Sequence, residues 1–170
     1  MIDGYGRTID YVRISVTDRC NLRCVYCMPE EGVGSISHEE ILRFGEIERV
    51  CQILAENGIQ KIKLTGGEPL VRRRLPELAA ALKRIPGIKS LTITTNGVLL
   101  EEMYDALADA GVDSVTISLD TLDASVYRQL TRRDEIEAVR RGLRTAIQKG
   151  RMQIKINCVP VLGIEEQKLL

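Results

Sequence analysis

The sequence predicts an α/β fold: a parallel sheet of about five βα units, curled into a partial, incomplete (β/α) barrel. Three observations predict it. Short β-rich runs alternate with helical patterns long enough to be crossovers. The strands alternate polar and apolar residues, where flat parallel sheets covered on both sides read as continuous apolar runs. The chain ends soon after the fifth strand, too few for an eightfold closure.

The first strand is read over Ile9–Val16, "IDYVRISV". "SHEEILRFGEIERVCQILAENG" then reads as a helix, with Ser37 as N-cap and Glu40 three residues on as a capping box. Its Ile41, Phe44, Ile47, Val50, Ile53 and Leu54 recur at helical spacing, and Gly58 stops it. "IQKIKLT" is the second strand, followed by "GGEP". "RLPELAAALKRI" is a helix that Pro86-Gly87 ends, and "KSLTITT" is the third strand. "LEEMYDALADAG" is a helix closed by Gly111, and "DSVTISLD" is the fourth strand. "DEIEAVRRGLRTAIQKG" is a helix closed by Gly150, "MQIKINCVPV" is the fifth strand, and "EEQKLL" begins a further helix.

Side chains i and i+2 share one face of a strand. Arg13, Ser15 and Thr17 therefore share a face opposite Val12, Ile14 and Val16. Lys61, Lys63 and Thr65 do so on the second strand, and Thr92, Thr94 and Asn96 on the third. Thr116, Ser118 and Asp120 follow on the fourth, and Lys155 and Asn157 on the fifth. The apolar faces suit packing against helices. The polar faces predict either a sheet with one wet side or, as we read it, a sheet curled round a polar substrate cavity. Its unpaired first and last strands would be edges open to association, such as a homodimer.

The 170 residues suffice for one domain, residues 1–170, and 44% are apolar. Lys plus Arg and Asp plus Glu both number 24, which gives no support to nucleic-acid binding. No apolar run nears the ~18 residues that span a bilayer, and the N-terminus has no apolar signal core. A cytoplasmic protein without a membrane partner is expected.

Five cysteines with three clustered do not read as a disulfide framework. Cys20, Cys24 and Cys27 follow the first strand with Cys-x3-Cys-x2-Cys spacing, at the end where parallel α/β folds place ligands. Structural zinc would want a fourth protein ligand. The single histidine, His38, reads instead as an exposed residue at a helix start. An iron–sulfur cluster held by three thiolates keeps one iron open for a small molecule. Cys51 and Cys158 read as buried core residues.

Cys20, Cys24 and Cys27, with Tyr26 before the last of them, resemble the signature of the radical S-adenosylmethionine (SAM) superfamily. "TGGEP" (Thr65–Pro69) resembles that superfamily's SAM amino-group motif, and glycines there permit close backbone approach. The likeness extends through "GRTIDYVRISVTDRCNLRCVYCMPEEG", "KIKLTGGEPLVRR", "TITTNG", "SVTISLDTLD", "LTRRD" and "KINCVPVLG" to the GTP 3′,8-cyclase family of molybdenum-cofactor biosynthesis. The resemblance implies a [4Fe–4S] cluster on Cys20, Cys24 and Cys27, and SAM against Tyr26, Gly67 and Ser118. It implies GTP against Arg13, Lys63, Thr94 and Lys155, all already on the polar strand faces. A 5′-deoxyadenosyl radical would take hydrogen from ribose C3′. The carbon radical would then attack guanine C8, giving (8S)-3′,8-cyclo-7,8-dihydroguanosine 5′-triphosphate. An electron donor such as flavodoxin or ferredoxin is implied. No catalytic side chain is assigned.

The chain departs from the family's pattern in two places. A second, C-terminal three-cysteine cluster that binds guanine is expected in the family and lacks a counterpart here, so full turnover by this chain alone is not expected. Arg74 stands where an acidic residue more usually opens the helix, a mildly unfavourable choice. Two other readings stay open: a peptide-modifying radical SAM maturase, and a truncated, non-catalytic cluster-binding module. Arg13, Lys63 and Lys155 favour a phosphorylated substrate over a peptide, since cations facing one cavity need an anion. Pairing with Glu68 or Asp120 is the competing explanation for them.

Overall fold

The computed structural model describes residues 2–34 and 40–161. Its order is β1 (Tyr11–Ser15), α1 (Phe44–Glu56), β2 (Lys61–Thr65), a 3₁₀ turn (Pro69–Val71) and α2 (Leu75–Lys83). β3 (Ser90–Thr95), α3 (Leu100–Asp109), β4 (Ser114–Ser118), α4 (Ala124–Thr131), α5 (Ile136–Lys149) and β5 (Gln153–Asn157) follow. The strands form one sheet in the order β1-β2-β3-β4-β5. Every pairing is parallel, and the sheet is not closed. The expected α/β class and five-strand count hold.

Period-two alternation sets the layers. Ile62, Leu64, Leu91, Ile93, Val115 and Ile117 are fully buried, and they share one core with Ile47, Leu78, Leu82, Leu100, Leu107 and Val139 of the helices. Each of these large aliphatic side chains contributes about 2 kcal/mol on burial. Arg13, Lys63, Thr92, Thr94, Thr116, Ser118, Lys155 and Asn157 lie on the opposite face, half-buried or exposed. Tyr104, fully buried on α3, ties this helix to the approach to β5. Its hydroxyl accepts the N–H groups of Arg151 and Met152 at 3.0 and 3.3 Å.

Three local expectations change. The helix read from Ser37 begins at Phe44; Ser37 and His38 lie outside the described residues, as does "EEQKLL". The cause is tertiary. Arg72 donates to the Leu42 carbonyl at 2.6 Å and stacks over the Phe44 ring at 4.5 Å, which holds Leu42 and Arg43 off the helix. The cap is made by Glu46, whose carboxylate accepts the Arg43 N–H at 2.6 Å. Second, α4 is a helix additional to those the sequence pattern predicts. Asp123 caps it, accepting from the N–H groups of Ser125 and Val126 at 2.9 and 3.0 Å. Third, Cys51 is in the core, but Cys158 is only partly buried, just past β5, the last strand of the sheet among the described residues.

Candidate functional site

The cysteine loop begins where β1 ends. The β1–β2 ladder continues past the strand, with Val16 N–H on Thr65 O at 2.8 Å and Gly67 N–H on Thr17 O at 2.7 Å. Glu68 N–H then reaches Arg19 O at 2.8 Å. This docking explains both glycines. A Cβ on Gly66, at φ +149°, would stand 2.4 Å from Thr17 O, and one on Gly67 would stand 2.3 Å from Arg19 O. The glycine pair in "TGGEP" is expected to let a ligand approach the backbone closely. The close approach here is to the base of the cysteine loop.

Glu68 is 2% exposed. Its carboxylate accepts Leu70 N–H at 2.9 Å, Thr95 Oγ1–H at 2.7 Å and Asn96 N–H at 2.6 Å. Burial pushes its pKa up, and the three donors oppose that. Asn96 passes the order on: its Nδ2 donates to Asn21 Oδ1 at 2.7 Å and lies 3.9 Å from Cys20 Sγ. Cys20 Sγ also accepts Leu22 N–H at 3.4 Å. Cys24 O accepts the N–H groups of Cys27 and Met28 at 2.9 and 3.1 Å, turning the chain between the second and third thiols.

Cys20, Cys24 and Cys27 are free thiols, two half-buried and one exposed. Burial, then the neighbouring Cys20 and Cys27, pushes Cys24 up to about 11. Burial pushes Cys20 up as well, and thiols raised in this way stay protonated unless a positive metal centre offsets their charge. Among the described residues no three Cys, His, Asp or Glu side chains converge for a single metal ion. A [4Fe–4S] cluster would fit on Cys20, Cys24 and Cys27, where the Leu22 N–H already directed at Cys20 Sγ would offset thiolate charge.

Tyr26 reaches across the loop to β4. Its hydroxyl donates to Asp120 Oδ2 at 2.5 Å, and Asp120 Oδ1 accepts Val159 N–H at 2.9 Å. Burial first, then Asp120, pushes the Tyr26 hydroxyl pKa upward. Tyr26 and Ser118 line one small recess of about 40 Å3 with Cys24, Asn96, Asp120 and Tyr127. Gly67 sits outside that recess, exposed beside Arg19.

Arg13 is the direct register partner of Lys63, and Thr94 lies in register with Thr116 and so with Lys155. These four share a face but fall into two groups. Lys155 is three strands from Lys63, about 14 Å across the sheet. Arg13, Lys63 and Lys155 form no ion pair among the described residues. Glu68 is buried and occupied elsewhere, and Asp120 is bonded to Tyr26 and Val159. The competing explanation of carboxylate pairing therefore finds no support.

An open parallel α/β sheet with a three-thiol loop at the C-terminal end of its first strand defines a class. The Radical SAM superfamily model matches residues 14–170, and the chain belongs to that superfamily. Its cofactors are a [4Fe–4S] cluster and SAM. The chain is similar to the GTP 3′,8-cyclase of Pelotomaculum thermopropionicum, 51% identical over all of this chain and 52% of that protein. It is 47% identical to the GTP 3′,8-cyclase of Petrotoga mobilis, over 99% of this chain and 52% of that protein. The chain thus spans about half the length of the curated relatives it matches. In fold it resembles Streptococcus suis SuiB bound to precursor peptide SuiA, with TM-score 0.72 and 24% identity over 93% of this chain and 34% of that one. It also resembles anSMEcpe with bound AdoMet, with TM-score 0.69 and 20% identity over 87% and 41%. No helix among the described residues is long and apolar enough to cross a membrane.

Proposed function

We propose that the chain is the SAM-binding portion of a GTP 3′,8-cyclase, forming (8S)-3′,8-cyclo-7,8-dihydroguanosine 5′-triphosphate from GTP. The observation that carries this reading is the Arg13–Lys63 pair, without an ion pair among the described residues, on the polar strand face, with Lys155 on the same face. Like charges in direct register are unfavourable without a counter-ion. A triphosphate supplies one, and a peptide backbone does not. The similarity to GTP 3′,8-cyclases along the whole chain points the same way.

In this reading Cys20, Cys24 and Cys27 hold the cluster, and Tyr26, Gly67 and Ser118 contact SAM. Bound together, cluster and SAM supply the one-electron cleavage that starts hydrogen abstraction from ribose C3′. The chain's own part is placement. Arg13 and Lys63 hold phosphate, Thr94 and Lys155 fix the far end of the nucleotide, and the docked loops keep the SAM end rigid. The reading includes a low-potential donor such as flavodoxin or ferredoxin, a cytoplasmic setting, and self-association through the open strand edges.

The test is anaerobic reconstitution with iron and sulfide, then SAM and dithionite, with 5′-deoxyadenosine as readout. GTP is then titrated. Lys63→Ala and Arg13→Ala should each weaken GTP binding roughly tenfold, as for loss of a charge-assisted contact. Unchanged GTP affinity in both variants would exclude the phosphate role. Absence of cluster-dependent SAM cleavage would favour a non-catalytic cluster-binding module.

A further inference from the structure

α4 ends against the cysteine loop. Its last carbonyls, Leu130 O and Thr131 O, accept the N–H groups of Val25 and Arg23, each at 2.9 Å. Helix-end acceptors that would otherwise go to water are spent on the loop. The next residue, Arg132, sends Nη1 to two loop carbonyls, Arg23 O and Met28 O, each at 3.2 Å. Those carbonyls flank Cys24 and Cys27 on either side. We propose that Arg132 is a positioning residue that clamps the span from Arg23 to Met28 and so sets Cys24 and Cys27 for the cluster. The inference rests on the cluster assignment above.

The backbone supports it. Arg132 has φ +54°, the left-handed region in which L-residues are strained by about 1 kcal/mol. Glycine is the usual residue at such a helix end. Arginine here keeps a strained backbone and gains a guanidinium aimed at the loop. Charge pairing does not account for it, since Glu30 stands 4.0 Å from Arg132 Nε and is largely exposed. The other non-glycine left-handed residue among those described, Arg74, differs in use. It pairs with Glu77 on the surface of α2.

The experiment reconstitutes the 170-residue chain anaerobically and measures iron per chain before and after a chelator challenge. Arg132→Gly is the decisive variant, because it relieves the backbone while removing the clamp. The expected result is an apo melting temperature at or above wild type, with chelator loss of iron about tenfold faster. Amide exchange at Arg23 and Val25 should accelerate in the apo chain. Arg132→Lys should recover part of the retention, since both bonds come from one nitrogen. Arg128→Met, which breaks only the surface pair with Asp134, should behave as wild type. Equal iron retention by wild type and Arg132→Gly would overturn the inference while leaving the cluster assignment standing. A wild-type chain that loads no cluster would overturn the assignment itself, and the clamp with it.

Discussion

Glu68→Gln isolates the organising role of the buried carboxylate, because it keeps size and shape. Oε1 already serves two donors, Leu70 N–H and Thr95 Oγ1–H, and an amide oxygen can keep both. Oε2 accepts Asn96 N–H at 2.6 Å, and the variant puts an NH2 there instead. Two donors then face each other, and a buried N–H goes unpaired. Such a group costs about 1–3 kcal/mol. Turning the amide over keeps the Asn96 bond and orphans the other two donors, which is worse. Removing a buried charge gives some of this back, so a net loss of about 2 kcal/mol is expected, or a melting temperature about 6 °C lower for a chain of this length. The assay is urea and thermal unfolding of the apo chain. Amide exchange at Asn96 should rise with it. If Glu68→Gln unfolds within about 0.5 kcal/mol of wild type, the carboxylate is not what fastens the loop after β2 to the end of β3.

Tyr127→Phe should leave apo stability within about 1 kcal/mol of wild type in urea unfolding, because its buried hydroxyl has no well-formed hydrogen bond and only the Thr131 side chain nearby. Tyr104→Phe should do the reverse, losing about 2 kcal/mol, since the N–H groups of Arg151 and Met152 lose their acceptor. Gly67→Ala should lower the melting temperature and iron uptake together, because its Cβ would meet Arg19 O at 2.3 Å and push the cysteine loop off its seat. Lys63→Ala should raise apo stability by a few tenths of a kcal/mol at low salt through relief of Arg13, a gain that fades as salt is added.

Much of the fold was legible because its signals are local and periodic. The five strands alternate at period two, and α2, α3 and α5 carry apolar residues at helical spacing with stops at their ends. α1 was legible in its body and misplaced at its start, since what delays it is Arg72, some thirty residues away in sequence. α4 was missed although its signals were present. Asp123 is a good N-cap, and Val126, Tyr127 and Leu130 lie at helical spacing, but the element is 8 residues long and follows a strand whose polar pattern runs to Asp120. In the site, residue types were readable and geometry was not. Gly66 and Gly67 announced a close approach without saying to what. Arg132 stood in plain view in "LTRRD", but its bearing on the cysteine loop depends on a contact more than 100 residues away in sequence.

The two halves of the candidate site differ physically. The cysteine loop is met from β2 through Gly67 and Glu68, from β3 through Asn96, from β4 through Asp120, and from α4 through Leu130, Thr131 and Arg132. Nearly every one of those bonds ends on loop backbone or on a side chain adjoining a cysteine, so the loop's shape is set before any ligand arrives. The strand face is the opposite. Among the described residues, Arg13 and Lys63 sit side by side without an ion pair, and Lys155 forms none across the sheet. Preorganisation suits a cluster whose thiols must be held apart and aimed. Unsatisfied charge suits a ligand that comes and goes, because the repulsion it relieves on arrival returns when it leaves. On the proposed reading, the chain therefore builds its permanent cofactor site from hydrogen bonds and leaves its substrate site to electrostatics.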